Sequence, residues 1–144
     1  MAITTDHLAA IAEFNQNYGA LLRDIQRSSL QTTTTSAASR VLLALGRRAR
    51  ASSSVLSDDL AMDRAQLSRL VLKLTDEGYL VSLPSVDDRR VGNLVLTREG
   101  DAAYVALEAE QTETLTAMVQ HLSPADLDRL VGAMDLIQDL LDQD

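Results

Sequence analysis

The chain has 144 residues, of which 46% are apolar and 24% are charged, and it carries a net charge of −8. This length and composition predict one folded domain with a core of its own. The absence of cysteine excludes disulfides, a cysteine nucleophile and zinc–thiolate sites. The sequence also lacks a signal-peptide pattern and any run of about 20 apolar residues. We therefore expect a cytoplasmic protein with no membrane partner.

The charge is unevenly distributed along the chain. Residues 40–98 hold ten Lys/Arg and seven Asp/Glu, a net charge of +3, whereas the remaining residues hold three and fourteen, a net charge of −11. Duplex DNA carries about one negative charge per 1.7 Å of its axis. A surface that faces DNA must therefore belong to the first group, with the acidic helices pointing away. Ordinary variation along a chain explains the same numbers equally well.

Apolar residues at helical spacing predict a long first helix from Asp6 to Ser28. The threonine run after Gln31 ends it, because β-branched hydroxyl residues favour turns and caps. Ser36 is suited to cap a second helix, which ends near the basic residues at 47–50. These cations fit either a DNA phosphate or the negative end of the helix dipole.

A short third helix to about Leu60 and a turn with a buried Met62 lead to a fourth helix. Asp63 is a favourable N-cap with Gln66 three residues later, and Gly78 is the expected C′ residue. Helical spacing predicts one buried stripe, formed by Leu67, Leu70, Val71 and Leu74. The opposite face carries Ala65, Ser68, Arg69 and Leu72.

The fourth helix has the outer face that a DNA recognition helix requires. Small and polar residues let a helix enter a major groove about 12 Å wide, where glutamine pairs with adenine and arginine with guanine. Arg69 and Lys73 are equally suited to phosphates, which position a protein without reading sequence. The predicted DNA contacts on this helix are Arg64, Ala65, Gln66, Ser68, Arg69 and Lys73. A solvated helix face has a similar composition.

Two strand-forming runs at 79–83 and 94–96 flank a loop whose tip is Asp87-Asp88-Arg89-Arg90. An arginine at a hairpin tip can enter a narrow minor groove, and a neighbouring aspartate can hold its guanidinium in place. We therefore add Asp88, Arg89 and Arg90 to the predicted DNA contacts. An ordinary charged turn is the alternative. Two helices followed by such a hairpin predict a winged helix, with double-stranded DNA as the leading partner.

The C-terminal part of the chain predicts two further helices. Thr97 is suited to cap a helix that runs to about Leu122, and Ser123 followed by Pro124 is a strong helix start. Both helices carry apolar stripes. Few other elements are present to cover these stripes and that of the first helix.

Motifs along nearly the whole chain resemble the MarR family of bacterial winged-helix transcriptional regulators. The most specific is Asp88-Arg89-Arg90 followed by Leu96-Thr97-Arg98-Glu99-Gly100, after a helix-turn-helix. Supporting similarity lies in Leu67-Ser68-Arg69-Leu70-Val71, Leu74, Gly78 and Tyr79-Leu80-Val81. The chain departs from the family pattern at Ala61, at Leu72 and at residues 83–86, where the wing is less basic. These departures bear on affinity and half-site sequence more than on fold.

The resemblance implies a mainly α (α+β winged helix) fold, forming a single domain over residues 1–144. A winged helix-turn-helix lobe at 36–97 is flanked by helical dimerisation regions at 1–30 and 98–144. The resemblance also implies an obligate homodimer joined by its first and last helices. Pairing two copies would bury the long terminal stripes, which favours the same arrangement.

The function implied by the resemblance is sequence-specific binding of double-stranded DNA by a transcriptional repressor. Two recognition helices about 34–36 Å apart would read a pseudo-palindromic operator. In this family Arg90 would enter the minor groove and Asp88 would steady it. Family members are often released from DNA by a small aromatic or phenolic ligand. Tyr18, Leu22 and Leu43 are candidates to line such a cleft, with plain core packing as the alternative.

No catalytic residues, cofactor or metal site are predicted. The two histidines, His7 and His121, lie on different helices, and neither a glycine-rich phosphate loop nor a catalytic motif is present. Asp87 and Asp88 fall far short of a calcium loop. We therefore expect no enzyme activity. The alternative to a DNA-binding regulator is a winged-helix protein-interaction module without high-affinity DNA binding, and steep salt dependence of DNA affinity distinguishes the two.

Overall fold

The structure is a computed structural model that describes residues 3–28, 36–84 and 92–142. These ranges form helices and two antiparallel strands, in the order α1 (Thr5–Ser28), α2 (Ser36–Arg48), α3 (Ser53–Leu60), α4 (Arg64–Asp76), β1 (Leu80–Pro84), β2 (Gly92–Leu96), α5 (Arg98–Val119) and α6 (Pro124–Leu141). This mainly helical fold with a small sheet confirms the predicted winged helix with long helices on both sides.

Side-chain caps begin the later helices where the sequence predicts them. The Thr97 hydroxyl accepts the N–H of Gly100 at 3.1 Å and so caps α5. The Ser123 hydroxyl accepts the N–H of Asp126 at 3.2 Å at the start of α6. Each bond satisfies one of the donors that a first helical turn leaves without a partner.

The buried core lies within the winged lobe, between α2, α3, α4 and the sheet. Leu67 and Leu74 of α4 are fully buried, whereas Leu70 and Val71 are half-buried against the core. Met62 is buried as predicted. The largest fully buried side chains are Leu42, Leu45, Leu56, Leu67, Leu74, Leu80 and Val41. The lobe therefore folds around a leucine-rich centre contributed by all its elements.

The wing strands pair in an antiparallel register from Leu80 opposite Leu96 to Pro84 opposite Gly92. Ala51 adds an isolated bridge to this sheet, since its N–H and C=O both bond to Leu94, at 3.2 and 2.8 Å. The segment that joins α2 to α3 is therefore fixed against the wing. The predicted hairpin tip lies outside the described residues.

The turn between α3 and α4 passes through a left-handed residue, Ala61, with φ of 47°. The Ser57 hydroxyl donates to the carbonyl of Met62 at 2.6 Å, and the N–H of Met62 donates to the carbonyl of Ser57. These two bonds hold the turn although its left-handed residue has a side chain. The departure from glycine at Ala61 therefore leaves the helix-turn-helix intact.

The α2–α5 junction connects the lobe to the long helices. A Cβ atom at Gly46 would lie 2.3 Å from the ring of Tyr104, so the ring packs directly against this glycine. The Tyr104 hydroxyl donates to the Glu108 carboxylate at 2.7 Å, and Arg47 donates to the Gln111 side chain at 3.1 Å. The hydrogen bond to Glu108, followed by partial burial, raises the pKa of Tyr104 above its ordinary value of 10.0.

The long helices leave much of their apolar surface uncovered in the single chain. The described residues of α6 include none that is buried, and Leu140 is 72% exposed. On α1 the exposed large apolar side chains are Leu8, Ile11, Phe14, Leu21 and Leu22. The predicted terminal stripes are therefore present, but this chain does not cover them. None of the described helices combines the length and apolarity of a membrane span.

We expect Gly100→Ala to destabilise the fold by several kcal/mol, because the added Cβ would lie 1.8 Å from the carbonyl oxygen of Tyr79. The reverse exchange at exposed Ala102, also in α5, should cost only about 1 kcal/mol, the usual helical penalty of glycine. Urea unfolding of both variants gives the two free energies. A Gly100→Ala protein as stable as the wild type would show that α5 does not approach β1 so closely.

We expect the phenol of Tyr104 to ionise above pH 10.0, because its O–H bonds to the Glu108 carboxylate. Because the pKa of Tyr104 is higher in the folded protein than in the unfolded chain, this bond stabilises the fold below pH 10.0. The stabilisation is lost as the pH rises through the pKa of the folded state. A difference titration of phenolate absorbance against Tyr104→Phe isolates this group. Glu108→Gln should lower the pKa of Tyr104, whereas Glu113→Gln, an exposed control on the same helix, should leave it unchanged. Equal titrations of all three proteins would contradict the contact.

Candidate nucleic-acid interface

Helix α4 is fixed at both ends by local interactions. Asp63 caps its N-terminus, where the carboxylate accepts the N–H groups of Ala65 at 3.0 Å and Gln66 at 3.3 Å. The chain leaves the other end through Gly78 at φ of 83°, a conformation that favours glycine. The Gly78 carbonyl then accepts the Thr97 hydroxyl at 2.6 Å. The position of α4 is thus tied to the wing and to the start of α5.

The outer face of α4 is open to solvent. All six residues that the sequence assigned to DNA contact on this helix are exposed: Arg64, Ala65, Gln66, Ser68, Arg69 and Lys73. Leu67 and Leu74, on the other side, anchor the helix in the core. Leu72 is 63% exposed, so this apolar side chain faces outward as its position in the helical period predicts. An exposed face of short polar and cationic residues has the shape and chemistry that a major groove accepts.

The three predicted wing contacts, Asp88, Arg89 and Arg90, lie outside the described residues. The strands on either side are described, and Pro84 and Gly92 face each other where the strands end. The Cβ of a residue at 92 would lie 2.5 Å from the Ser82 hydroxyl oxygen, so the glycine leaves room for this side chain. The assignment of the wing tip to DNA stays a prediction.

A hollow of about 190 Å³ lies between α3 and α4. Ser53 and Ser54 of α3 line one side, and Arg64, Leu67 and Ser68 of α4 line the other. The two serines are not among the residues that the sequence predicts to contact DNA, because serine at a helix start indicates a cap. Ser52 is the residue that actually caps α3, with its hydroxyl accepting the N–H of Val55 at 3.2 Å.

The arginines of α2 have partners within the chain. Arg48 makes a two-point ion pair with the Asp59 carboxylate, through Nε and through Nη2 at 2.9 Å, and this hydrogen bonding raises the pKa of Arg48. Arg40 donates to the carbonyl of Leu60 at 2.7 Å, at the C-terminal end of α3. Together with the bond from Arg47 to Gln111, these contacts join α2 to its neighbours. Arg47 and Arg48 lie in the last turn of α2, as the helix-dipole interpretation requires, but their side chains bond to other helices.

A second, apolar hollow of about 270 Å³ lies between α1 and α6. Phe14 and Tyr18 stack in parallel on its α1 side, with ring centroids 5.6 Å apart. Its α6 side is formed by Leu130, Ala133, Met134, Ile137 and Gln138. Of the residues considered for a ligand cleft, Tyr18 lines this hollow, whereas Leu22 and Leu43 are not part of its wall.

Comparison with known proteins agrees with this geometry. Residues 32–91 match the sequence model of the MarR family. No curated protein sequence matches the chain. Similar solved structures include a MarR family protein from Bacillus stearothermophilus, with a TM-score of 0.83 and 15% identity over 98% of this chain and 100% of that one.

Two other similar structures were solved with a small molecule. NadR in complex with 4-hydroxyphenylacetate has a TM-score of 0.77 and 22% identity, with full coverage of both chains. PcaV from Streptomyces coelicolor, in complex with its natural ligand, has a TM-score of 0.68 and 19% identity over 99% of this chain and 100% of that one. At these identities the likeness establishes the fold. The resemblance noted in the sequence is thereby confirmed: residues 32–91 match the MarR family model, and the chain has the fold of solved MarR-family regulators.

Proposed function

We propose that this protein is a sequence-specific, double-stranded DNA-binding transcriptional regulator that acts as a repressor. The observation that carries the proposal is the exposed polar face of α4, on a helix fixed at both ends within a winged helix. Gln66 and Arg69 are suited to base edges in the major groove. Lys73 is suited to phosphate, although it lies within 3.9 Å of Glu77. Such a protein acts where the chromosome is, in the cytoplasm.

The proposal assigns a separate function to each part of the chain. Residues 36–97 form the DNA-binding lobe, and the wing tip adds Asp88, Arg89 and Arg90 at the minor groove. Residues 1–30 and 98–144 form the dimerisation region. The support for the wing contacts is the sequence resemblance together with the paired strands that lead to the tip.

The partner of the terminal helices is a second copy of the chain. Apolar side chains exposed on α1 and α6, such as Ile11 and Leu140, are removed from water when another helix covers them, at roughly 25 cal/mol per Å². Both helices also carry acidic residues, which are better placed in a dimer far from DNA than beside it. A symmetric dimer would offer two recognition helices to a pseudo-palindromic operator.

Release by a small aromatic or phenolic ligand is the regulatory part of the proposal. The apolar hollow between α1 and α6, with its stacked Phe14 and Tyr18 and the amide of Gln138, has the composition that such a molecule requires. The ligand-bound structures of NadR and PcaV share the fold. The ligand must prefer the dimer geometry that does not bind DNA, because a ligand with equal affinity for both geometries does not shift the equilibrium between them.

A second candidate function is a protein-interaction module. It is favoured by apolar side chains exposed on the lobe itself, Leu72 on α4 and Leu83 on β1. A protein partner would cover them, whereas DNA phosphates would not. The salt dependence of binding separates the candidates, since phosphate contacts release counterions and weaken steeply as salt rises.

We expect the purified protein to bind fragments of its own genome selectively, with affinity that falls steeply with salt. Arg69→Ala and Arg90→Ala should each weaken binding and, if the residue neutralises a phosphate, reduce the salt slope by about one unit. The matched control is Arg129→Ala on α6, whose side chain is 83% exposed and pairs only with Asp126 within the described residues. Fluorescence anisotropy against salt measures all four proteins. A wild-type protein without affinity for any genomic fragment at low salt would overturn the proposal.

We expect the protein to sediment at twice the mass of one chain. The double variant Ile11→Glu/Leu140→Glu should dissociate it, because burying unpaired carboxylates in an apolar interface is costly. Leu83→Glu is the control, since this exposed apolar residue lies on the wing strand β1 and should leave the dimer intact. Sedimentation equilibrium reads the mass directly. A monomeric wild type, or a dimer unaffected by the double variant, would contradict the assignment of the interface.

A further inference from the structure

The hollow between α3 and α4 brings together donors from two helices. Its floor is the buried Leu67, and its rim is formed by the exposed side chains of Ser53, Ser54, Arg64 and Ser68. Three hydroxyls and one guanidinium therefore face a space of about 190 Å³, and no carboxylate lines it. In a chain with a net charge of −8, a concave surface with donors and one cation is adapted to an anion.

The nearest acidic residue in sequence, Asp63, is engaged elsewhere. Its carboxylate accepts the N–H groups of Ala65 and Gln66 at the start of α4. Within the described ranges Arg64 has no ion-pair partner, in contrast to Arg48, which is paired with Asp59. The guanidinium at the hollow therefore keeps its charge and its hydrogen-bond donors available to a ligand.

We propose that this hollow binds a backbone phosphate of the DNA, and that Arg64 contacts this phosphate rather than a guanine. The inference rests on the proposed DNA-binding function. In a helix-turn-helix, the first helix crosses the DNA backbone while the second enters the major groove. Donors on α3 beside the first turn of α4 are therefore placed at the strand that borders the groove. A guanidinium binds a phosphate at two points, and serine hydroxyls donate to the same oxygens.

The phosphate contact would set the depth and register of α4 in the groove. Contacts to phosphate position a protein without carrying sequence information, and base contacts then specify the site. Ser53 and Ser54 become positioning residues in this account, and the base-reading part of α4 is left to Gln66 and Arg69. The sequence alone assigned Arg64 to a base because it lacks the information that α3 presents two hydroxyls beside it.

The test compares Arg64→Ala and Ser54→Glu with wild type and with the Arg129→Ala control, on the selected operator and on an unrelated duplex. Arg64→Ala should weaken binding about tenfold or more on both duplexes and lower the salt slope by about one unit per lobe. Ser54→Glu should weaken binding similarly, because a carboxylate in the hollow repels phosphate. An acidic residue in the first turn favours a helix, so α3 should remain folded, and circular dichroism and urea unfolding check this.

A second measurement locates the phosphate. Replacing backbone phosphates of the operator one at a time by neutral methylphosphonate should reveal a position in each half-site at which the replacement weakens binding by the wild type. At the same position the replacement should not weaken binding by Arg64→Ala any further. Coincidence of the two effects at one phosphate supports the inference. A loss by Arg64→Ala confined to the operator, with an unchanged methylphosphonate pattern, would overturn it and return Arg64 to a base. A wild-type protein that binds neither duplex would instead reject the proposed function itself.

Discussion

The structure depends on the contact between the end of α4 and the start of α5. Thr97 makes four hydrogen bonds there: its hydroxyl donates to the Gly78 carbonyl and accepts the N–H of Gly100, its own N–H donates to the Tyr79 carbonyl, and its carbonyl accepts the N–H of Asp101. Gly100 has no side chain, and this allows the first turn of α5 to lie against Tyr79. One residue thus joins the exit of α4, the first wing strand and the helix that leads out of the lobe.

A second junction joins α5 to the winged lobe, so the two are not connected by a hinge at a single point. The ring of Tyr104 occupies the space left by Gly46, and the hydrogen bonds of Tyr104 to Glu108 and of Arg47 to Gln111 lie on the same side of α5. Because α5 contacts the lobe at two places along its length, a rotation of α5 must carry α4 with it. In the proposal, a ligand bound between α1 and α6 would act on α1, which contacts α5. The geometry offers a route from the proposed ligand hollow to the recognition helix that needs no contact between ligand and DNA.

Local chemistry explains which parts of this arrangement the sequence predicts. The caps Asp63, Thr97 and Ser123 and the left-handed Gly78 act within four residues, so their patterns can be read directly. The hollow at Ser53 and Ser54 is formed by two helices, and no spacing along the chain reveals it. The partners of Arg47 and Arg48 are equally non-local, at Gln111 and Asp59, so the basic run at 47–50 left two interpretations open. Leu22 and Leu43 do not line the hollow that Tyr18 lines, because its opposite wall is on α6.

The internal use of the α2 arginines changes the electrostatic argument for DNA. The net charge of +3 over residues 40–98 includes Arg40, Arg47 and Arg48, whose side chains bond to other parts of the protein. The cations left for phosphate are Arg50, Arg98, the three on α4 and, in the proposal, Arg89 and Arg90 of the wing tip. In the proposed complex these cations would neutralise phosphates and make affinity fall steeply with salt, whereas the acidic long helices would add repulsion. Because three of the ten cations are used within the protein, hydrogen bonds to base edges would supply a larger share of the affinity in the proposed complex.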